Sequence, residues 1–186
     1  MLDSLFCGGN ASKCKSLIKD IKTRVGVLRK KRNGKASLQR RDIAELLRNG
    51  EDQKALSRVD VLFTEENILA VYDMIEIFCD CILKKLSSIW KQRDCPQDIK
   101  EAVSSLIFAA ARCAEVPELQ ALRGIFATRY GDEFAIAARE SLPACDVSQQ
   151  IIEKLSGGLP TNNAKLSLLR EIAEKAGFQW DYSNLK

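Results

Sequence analysis

Along this chain, apolar positions recur at intervals of three and four, and no stretch of useful length alternates in the manner of a strand. Cys14, Leu17, Ile18, Ile21, Val25 and Leu28 form the first such stripe, the spacing of a helix packed along a partner. Ser12 stands where it can cap this helix, and Asn49-Gly50 supplies a left-handed stop. The pattern therefore predicts helix over 13–48, roughly 54 Å long at 1.5 Å per residue. Asn33-Gly34 sits in its middle, where it either costs on the order of 1 kcal/mol within a continuous helix or marks a break. Composition alone leaves both readings open.

From Asp52 to about Gln92 the stripe resumes with Val61, Ile68, Tyr72, Ile75, Cys79, Ile82, Leu86 and Ile89, without Pro or Gly inside. This predicts a second long helix, and the tight Asn-Gly turn between the two requires an antiparallel hairpin. Pro96 then opens a small, nearly uncharged helix through Ile99, Val103, Leu106, Ile107 and Ala110, expected to be buried. Pro117 opens another, carrying Leu119, Leu122, Ile125 and Phe126 as far as Tyr130-Gly131, and a short fifth helix follows through Phe134 to Arg139. After Pro143 come weaker helices over 147–155 and 166–176, joined by Gly157-Gly158 and Pro160. Leu166, Leu169, Ile172 and Ala176 share one face, so the last helix is expected to pack back. The fold class is all-α, with a helical core over 1–142 and C-terminal helices over 143–186 that return to it.

The length of 186 residues suits one domain, or one with an appendage. Net charge is +4, which says little until it is mapped. Residues 13–48 hold thirteen Lys and Arg against Asp20, Asp42 and Glu45, a local +10 that leaves −6 for the rest of the chain. The first helix is thus apolar inward and basic outward. At about 100° per residue, Lys15, Lys19, Lys22, Arg29 and Lys30 fall on one flank of the stripe and Lys13, Arg24 and Lys31 on the other. Solvated faces ordinarily mix signs and this one barely does, so these eight are the candidate residues for contact with an anionic membrane or an acidic partner.

Catalytic chemistry finds little support. The chain has no His, which removes the common general base, the serine and cysteine triads and the HExxH zinc site. Gly8-Gly9 before Lys13 does not match a phosphate-binding loop, and Glu65-Glu66 diverge on a helix. The seven cysteines are scattered without a CxxC pair and read as reduced, buried small hydrophobes, so neither metal nor cofactor is expected. No apolar run approaches the ~20 residues needed to cross a bilayer, and Leu2 stands where N-myristoylation requires Gly, so a cytoplasmic location is expected. Met1, Leu2, Leu5 and Phe6 read as a frayed end rather than a lipid-inserting wedge. Leu119, Leu122, Phe126 and Tyr130 are apolar enough to line a partner groove, yet core packing is the favoured reading of them. Nucleic acid is not an expected partner, because aromatic platforms, Gly-rich loops and a recognition helix are all missing.

The run from Arg40 to Glu51, RRDIAELLRNGE, followed by Ala55, Arg58 and Val59, resembles the helix-turn-helix junction of the increased-sodium-tolerance family, ESCRT-III-like regulators of the vacuolar-sorting AAA ATPase. Ile75-Glu76 with Phe78-Cys79-Asp80, then Glu101 to Ile107 with Ala109 to Arg112, extend the likeness. The run from Glu115 to Leu119, with Leu122-Arg123, Phe126 and Arg129 to Gly131, is similar to the plant branch. The resemblance implies an ESCRT-III-like core, a long α-hairpin with shorter helices packed on it and Asn33-Gly34 inside a continuous first helix. It also implies a non-enzymatic subunit of endosomal multivesicular-body sorting that binds a charged multivesicular body protein, assembles with its own copies, meets endosomal membrane peripherally and modulates the disassembly ATPase. Members carry ATPase-docking motifs at a distant C-terminus, a region expected to be absent from this chain. The runner-up reading is a helical adaptor whose basic face takes acidic protein partners without membrane contact.

Overall fold

The computed structural model describes residues 3–182, with side chains described from residue 9 onward. The apolar start Met1, Leu2, Leu5 and Phe6, and Cys7, lie outside the described side chains. The described residues contain helices and no strand: α1 (Asp3–Arg48), α2 (Asp52–Lys84), α3 (Leu86–Lys91), α4 (Gln97–Ala110), α5 (Glu118–Tyr130), α6 (Asp132–Arg139), a 3₁₀ turn at Pro143–Cys145, α7 (Gln149–Leu155) and α8 (Asn162–Lys175). They form two compact units, 1–28 with 71–156 and 29–70 with 157–186. Both long helices contribute to each.

The two long helices each depart from the sequence reading at one boundary. Helix α1 begins ten residues early, at Asp3, so Ser12 lies inside it and caps nothing. Its far end is as expected: Gly50 takes φ +70°, while the Glu51 N–H donates to the Leu46 carbonyl at 2.9 Å and the Gly50 N–H to the Leu47 carbonyl at 3.2 Å. This paired closure satisfies two carbonyls that the helix end would leave open. Helix α2 stops at Lys84 rather than near Gln92, because Lys85 leaves helical geometry (φ −118°, ψ 15°) and α3 starts after it. Neither Pro nor Gly marks that break. Beside it Lys85 pairs with Asp98 at 2.8 Å, and at the far end of α3 the Arg129 guanidinium donates to the carbonyls of Ile89 and Gln92.

Unit 1 is built around α4, ten of whose fourteen residues are buried. Helices α5 and α6 pack on it and on each other, and α7 and the 3₁₀ turn complete its cover. From α1 the unit takes Cys14, Ile18, Ile21 and Val25, and from α2 it takes Val71, Tyr72, Ile75, Cys79 and Ile82. The buried Ser105 hydroxyl accepts the Ser148 backbone N–H at 2.9 Å, fixing the approach to α7. Leu119, Leu122 and Phe126, offered above as a partner groove, are 1%, 1% and 0% exposed. Tyr130 stacks on Phe126 with centroids 6.3 Å apart. Leu119, Leu122 and Phe126 are core rather than groove, because α5 turns its apolar stripe onto α4 and α6, and Tyr130 is half-buried beside them.

Unit 2 has a smaller core. Ala36, Ile43, Ala44 and Leu47 of α1 meet Ala55, Val59 and Leu62 of α2 and Leu168, Leu169, Ile172 and Ala173 of α8. Val61, which the sequence stripe placed inside, is 50% exposed; Val59 and Leu62, three residues apart, hold the seam instead. Past α8 the chain is pinned back by the Trp180 indole N–H donating to the Asp52 carboxylate at 3.0 Å. Arg48 adds to this, donating to the Ala176 carbonyl at 2.7 Å and lying over the Phe178 ring.

Candidate functional site

The eight cations singled out on α1 do not share one fate. In unit 1, Lys13, Lys15 and Lys19 are exposed and have no polar partner among the described residues. Lys22 instead contacts the Asp80 carboxylate of α2, and that hydrogen bond holds its ammonium pKa above the ordinary lysine value. Arg24 clamps Glu118 of α5, its Nε 2.7 Å from both carboxylate oxygens. The bond from Arg24 keeps the Glu118 carboxyl below its usual range, burial opposing it. In unit 2, Arg29 is half-buried, while Lys30 and Lys31 are exposed with no partner among the described residues. Five lysines thus remain available to an outside anion.

Sequence reasoning missed a groove in unit 2. Its walls are the second half of α1, with Arg40, Arg41, Ala44 and Arg48, and the end of α8, with Ile172, Lys175 and Ala176; it encloses about 310 Å³. The floor is small and apolar, and the charged residues that line it are all cations, two of them paired with carboxylates beside the groove. Arg40 is fixed by Glu66, with Nε to carboxylate 2.9 Å, and by Glu171 at 3.2 Å. Lys175 is tied to Glu171 at 2.6 Å. The bond from Lys175 is the main cause holding the Glu171 carboxyl below its usual range, Arg40 adding to it. Arg41 is exposed without a partner among the described residues. Arg40, Arg41, Ala44 and Arg48 sit within three turns of one helix, a spacing legible in the sequence. That α8 returns to form the second wall is not legible there.

Rigid cations around an apolar floor suit an amphipathic helix with acidic flanks, which would meet guanidinium donors at its carboxylates and small side chains beneath its apolar stripe. The chemistry available elsewhere is sparse. No group of three His, Cys, Asp or Glu able to hold a metal occurs among the described residues. Burial pushes the Cys14 and Cys79 thiols up to about 12 and Cys95 up to about 11, leaving them protonated and poor as nucleophiles or ligands. No described helix is long and apolar enough to cross a membrane.

With this geometry in view, comparison with known proteins is specific. The family model described as "Ist1: Regulator of Vps4 activity in the MVB pathway" matches residues 15–179. An IST1-like protein of Dictyostelium discoideum is 26% identical over 168 residues, 90% of this chain and 45% of that protein. The vacuolar protein sorting-associated protein IST1 of Saccharomyces cerevisiae is 28% identical over 182 residues, 94% of this chain and 60% of the yeast protein. The chain therefore spans about half the length of these relatives. The crystal structure of the S. cerevisiae Ist1 N-terminal domain in complex with the Did2 MIM motif superposes with a TM-score of 0.82 at 28% identity, covering 95% of this chain and 96% of that one. A family match over nearly the whole described fold, on a backbone shared with a solved family member, means that this chain belongs to the Ist1 family, regulators of Vps4 activity in the MVB pathway.

Proposed function

We propose that this chain is an ESCRT-III-like assembly and regulatory domain of multivesicular-body sorting that works by binding and not by catalysis. Its unit 2 groove holds an acid-flanked helix of a charged multivesicular body protein, and through that engagement the chain modulates the AAA ATPase Vps4 at endosomes. The observation that carries this reading is the likeness over 95% of the chain to a domain solved with the Did2 MIM motif. The groove adds a chemical reason, since its cationic rim and apolar floor match such a helix. Calorimetry with the C-terminal helix peptide of the organism's own charged multivesicular body protein tests it. Arg41→Glu combined with Lys175→Glu is expected to weaken binding about tenfold or more. Unchanged affinity would remove the groove from the proposal.

A second reading is favoured by the five exposed lysines. Lys13, Lys15, Lys19, Lys30 and Lys31 offer an anionic leaflet roughly 1 kcal/mol each before losses, weakened by salt. Replacing all five by Gln is expected to abolish pelleting with acidic liposomes. Pelleting that survives the substitutions would rule out membrane contact through this helix and leave the acidic-partner adaptor.

A further inference from the structure

The unit 2 groove does not offer all of its charge to a partner. Arg40, Glu66, Glu171 and Lys175 form one connected set: Arg40 donates to Glu66 and to Glu171, and Lys175 donates to Glu171. Two cations and two carboxylates cancel, so this set ties α1, α2 and α8 together and contributes little net field. Two lining cations stand outside it. Arg41 is exposed and has no partner among the described residues. Arg48 is exposed too, and it meets a backbone carbonyl, that of Ala176, and the Phe178 ring, neither of which offsets its charge. Asp42, Glu45 and Glu174 lie on the same two helices, but they do not line the groove and form no ion pair among the described residues.

The fold fixes how far apart these two charges are. Arg40 meets Glu171 and Arg48 meets the Ala176 carbonyl, so α1 and α8 run side by side in the same sense and the groove follows the axis of α1. Arg41 and Arg48 are seven residues apart, two turns or about 10 Å along that axis. Ala44 lies midway at 4% exposure, with Ile172 and Ala176 on the opposite wall. A helix laid in the groove presents its own positions i and i+7 at the same interval and on one face, with i+3 and i+4 between them. Small side chains at Ala44 and Ala176 leave room for a large one there.

We infer, on the groove reading proposed above, that unit 2 selects a helix by two carboxylates seven residues apart with a bulky apolar side chain midway. Arg41 and Arg48 each take one carboxylate, through the paired N–H donors of a guanidinium. Arg40 and Lys175 are positioning residues that hold α8 beside the hairpin. An acid placed elsewhere on the helix meets no uncompensated cation in the groove, so spacing, and not acidity alone, decides the partner.

Calorimetry on the full chain tests this with two staple-stabilised peptides of about 18 residues. Both carry Leu at i+3 and i+4 and two Glu. The first places the Glu at i and i+7, the second at i and i+9, which turns one of them to the far face at equal composition. The first is expected to bind about tenfold more tightly. Arg41→Gln is expected to erase most of that preference. Lys175→Gln combined with Glu171→Gln removes one charge of each sign and is expected to leave it unchanged. Changing a single Glu of the first peptide to Lys gives two further probes; one is expected to recover binding to Arg41→Glu, and the other to Arg48→Glu. Because Arg41 is exposed and unpaired, its variants should keep the wild-type helix content, so a binding loss there is not unfolding. Equal affinity for the two Glu peptides, a preference that survives Arg41→Gln, or rescue of both charge reversals by the same probe overturns the two-carboxylate selection and leaves the groove standing. Binding indifferent to Ala176→Phe, which fills the groove, or no binding of either peptide overturns the groove and the selection together.

Discussion

Unit 1 is held by burial, and unit 2 by a smaller core laced with ions. In unit 1, α4 disappears under α5 and α6, and the ion pairs Lys22 with Asp80, Arg24 with Glu118 and Lys85 with Asp98 lie toward solvent. In unit 2, five of the eleven core side chains are alanine or valine. Charges span its helices: Arg32 and Lys35 of α1 converge on Glu65 of α2, Arg40 joins Glu66 of α2 to Glu171 of α8, and Lys165 of α8 reaches Asp60 of α2. Burial among large side chains carries more of unit 1, whereas directional pairs between helices carry more of unit 2, which should respond to pH and salt more strongly. Unit 2 also holds the groove that Arg40 and Lys175 line. The same carboxylates that position those cations keep the rim from being purely basic.

The largest expected effect removes a large side chain from the better-packed unit. Phe126→Ala should cost about 3–5 kcal/mol, because a 0% exposed aromatic ring is lost from the core of unit 1. Leu169→Ala, at the equivalent depth of unit 2, should cost about 2–4 kcal/mol, since a leucine removes fewer buried atoms than a phenylalanine. Denaturant melts of the two variants check the order. A larger loss from Leu169→Ala would reverse the contrast between the units.

The ionic side of the comparison rests on Glu65, whose side chain is 7% exposed. Burial alone would raise its carboxyl pKa, but the hydrogen bonds from Lys35 and Arg32 outweigh it and hold the group below its ordinary value of 4.5. A carboxyl depressed by folding contributes stability that is present above its unfolded pKa and lost as pH falls through the folded one. Unit 2 should therefore weaken as pH drops below about 4.5, as the stability held by Glu65 and Glu171 is lost. Glu65→Gln should cost about 1–3 kcal/mol at neutral pH and flatten that acid loss. Hydrogen exchange at pH 6 and pH 4 reads both, with protection expected to fall more over 59–66 than over 99–110. Equal loss in the two segments would mean that the ions do not set the register of unit 2.

The two units also differ in how much of them the sequence reveals. Periodicity identified the buried stripe of α1 and the whole of α4, because local spacing and a flanking Pro or Gly carry that information. It missed the break at Lys85, which neither Pro nor Gly marks. It chose Val61 where Val59 and Leu62 hold the seam, a register that only the meeting of three helices decides. Charge was the least legible property. Lys22 and Arg24 looked like free surface cations, yet their acids lie 58 and 94 residues away. The unit 2 groove needs α8 to return beside Arg40, a contact 131 residues long. Binding surfaces made by such returns are properties of topology, and no window of neighbouring residues contains them.

The smallest predicted effect concerns the two candidate caps, Ser12 and Thr161. Both have hydroxyls that suit an N-cap, but only Thr161 sits at a helix start, its Oγ1 accepting the Ala164 N–H at 3.2 Å. Ser12 lies inside α1, with helical backbone on both sides. Thr161→Ala should cost about 1 kcal/mol and lower the melting temperature by about 2–4 °C. Ser12→Ala should change stability by less than about 0.5 kcal/mol and in the stabilising direction, since Ala is the better helix former. The Thr161 effect should also be local, raising exchange of the first amides of α8 while leaving α4 protected, because a lost cap frays an end before it disturbs a core. A cost from Ser12→Ala matching that of Thr161→Ala would mean that α1 starts at residue 13 after all, and with it the basic flank would begin at a helix end instead of on an uninterrupted rod.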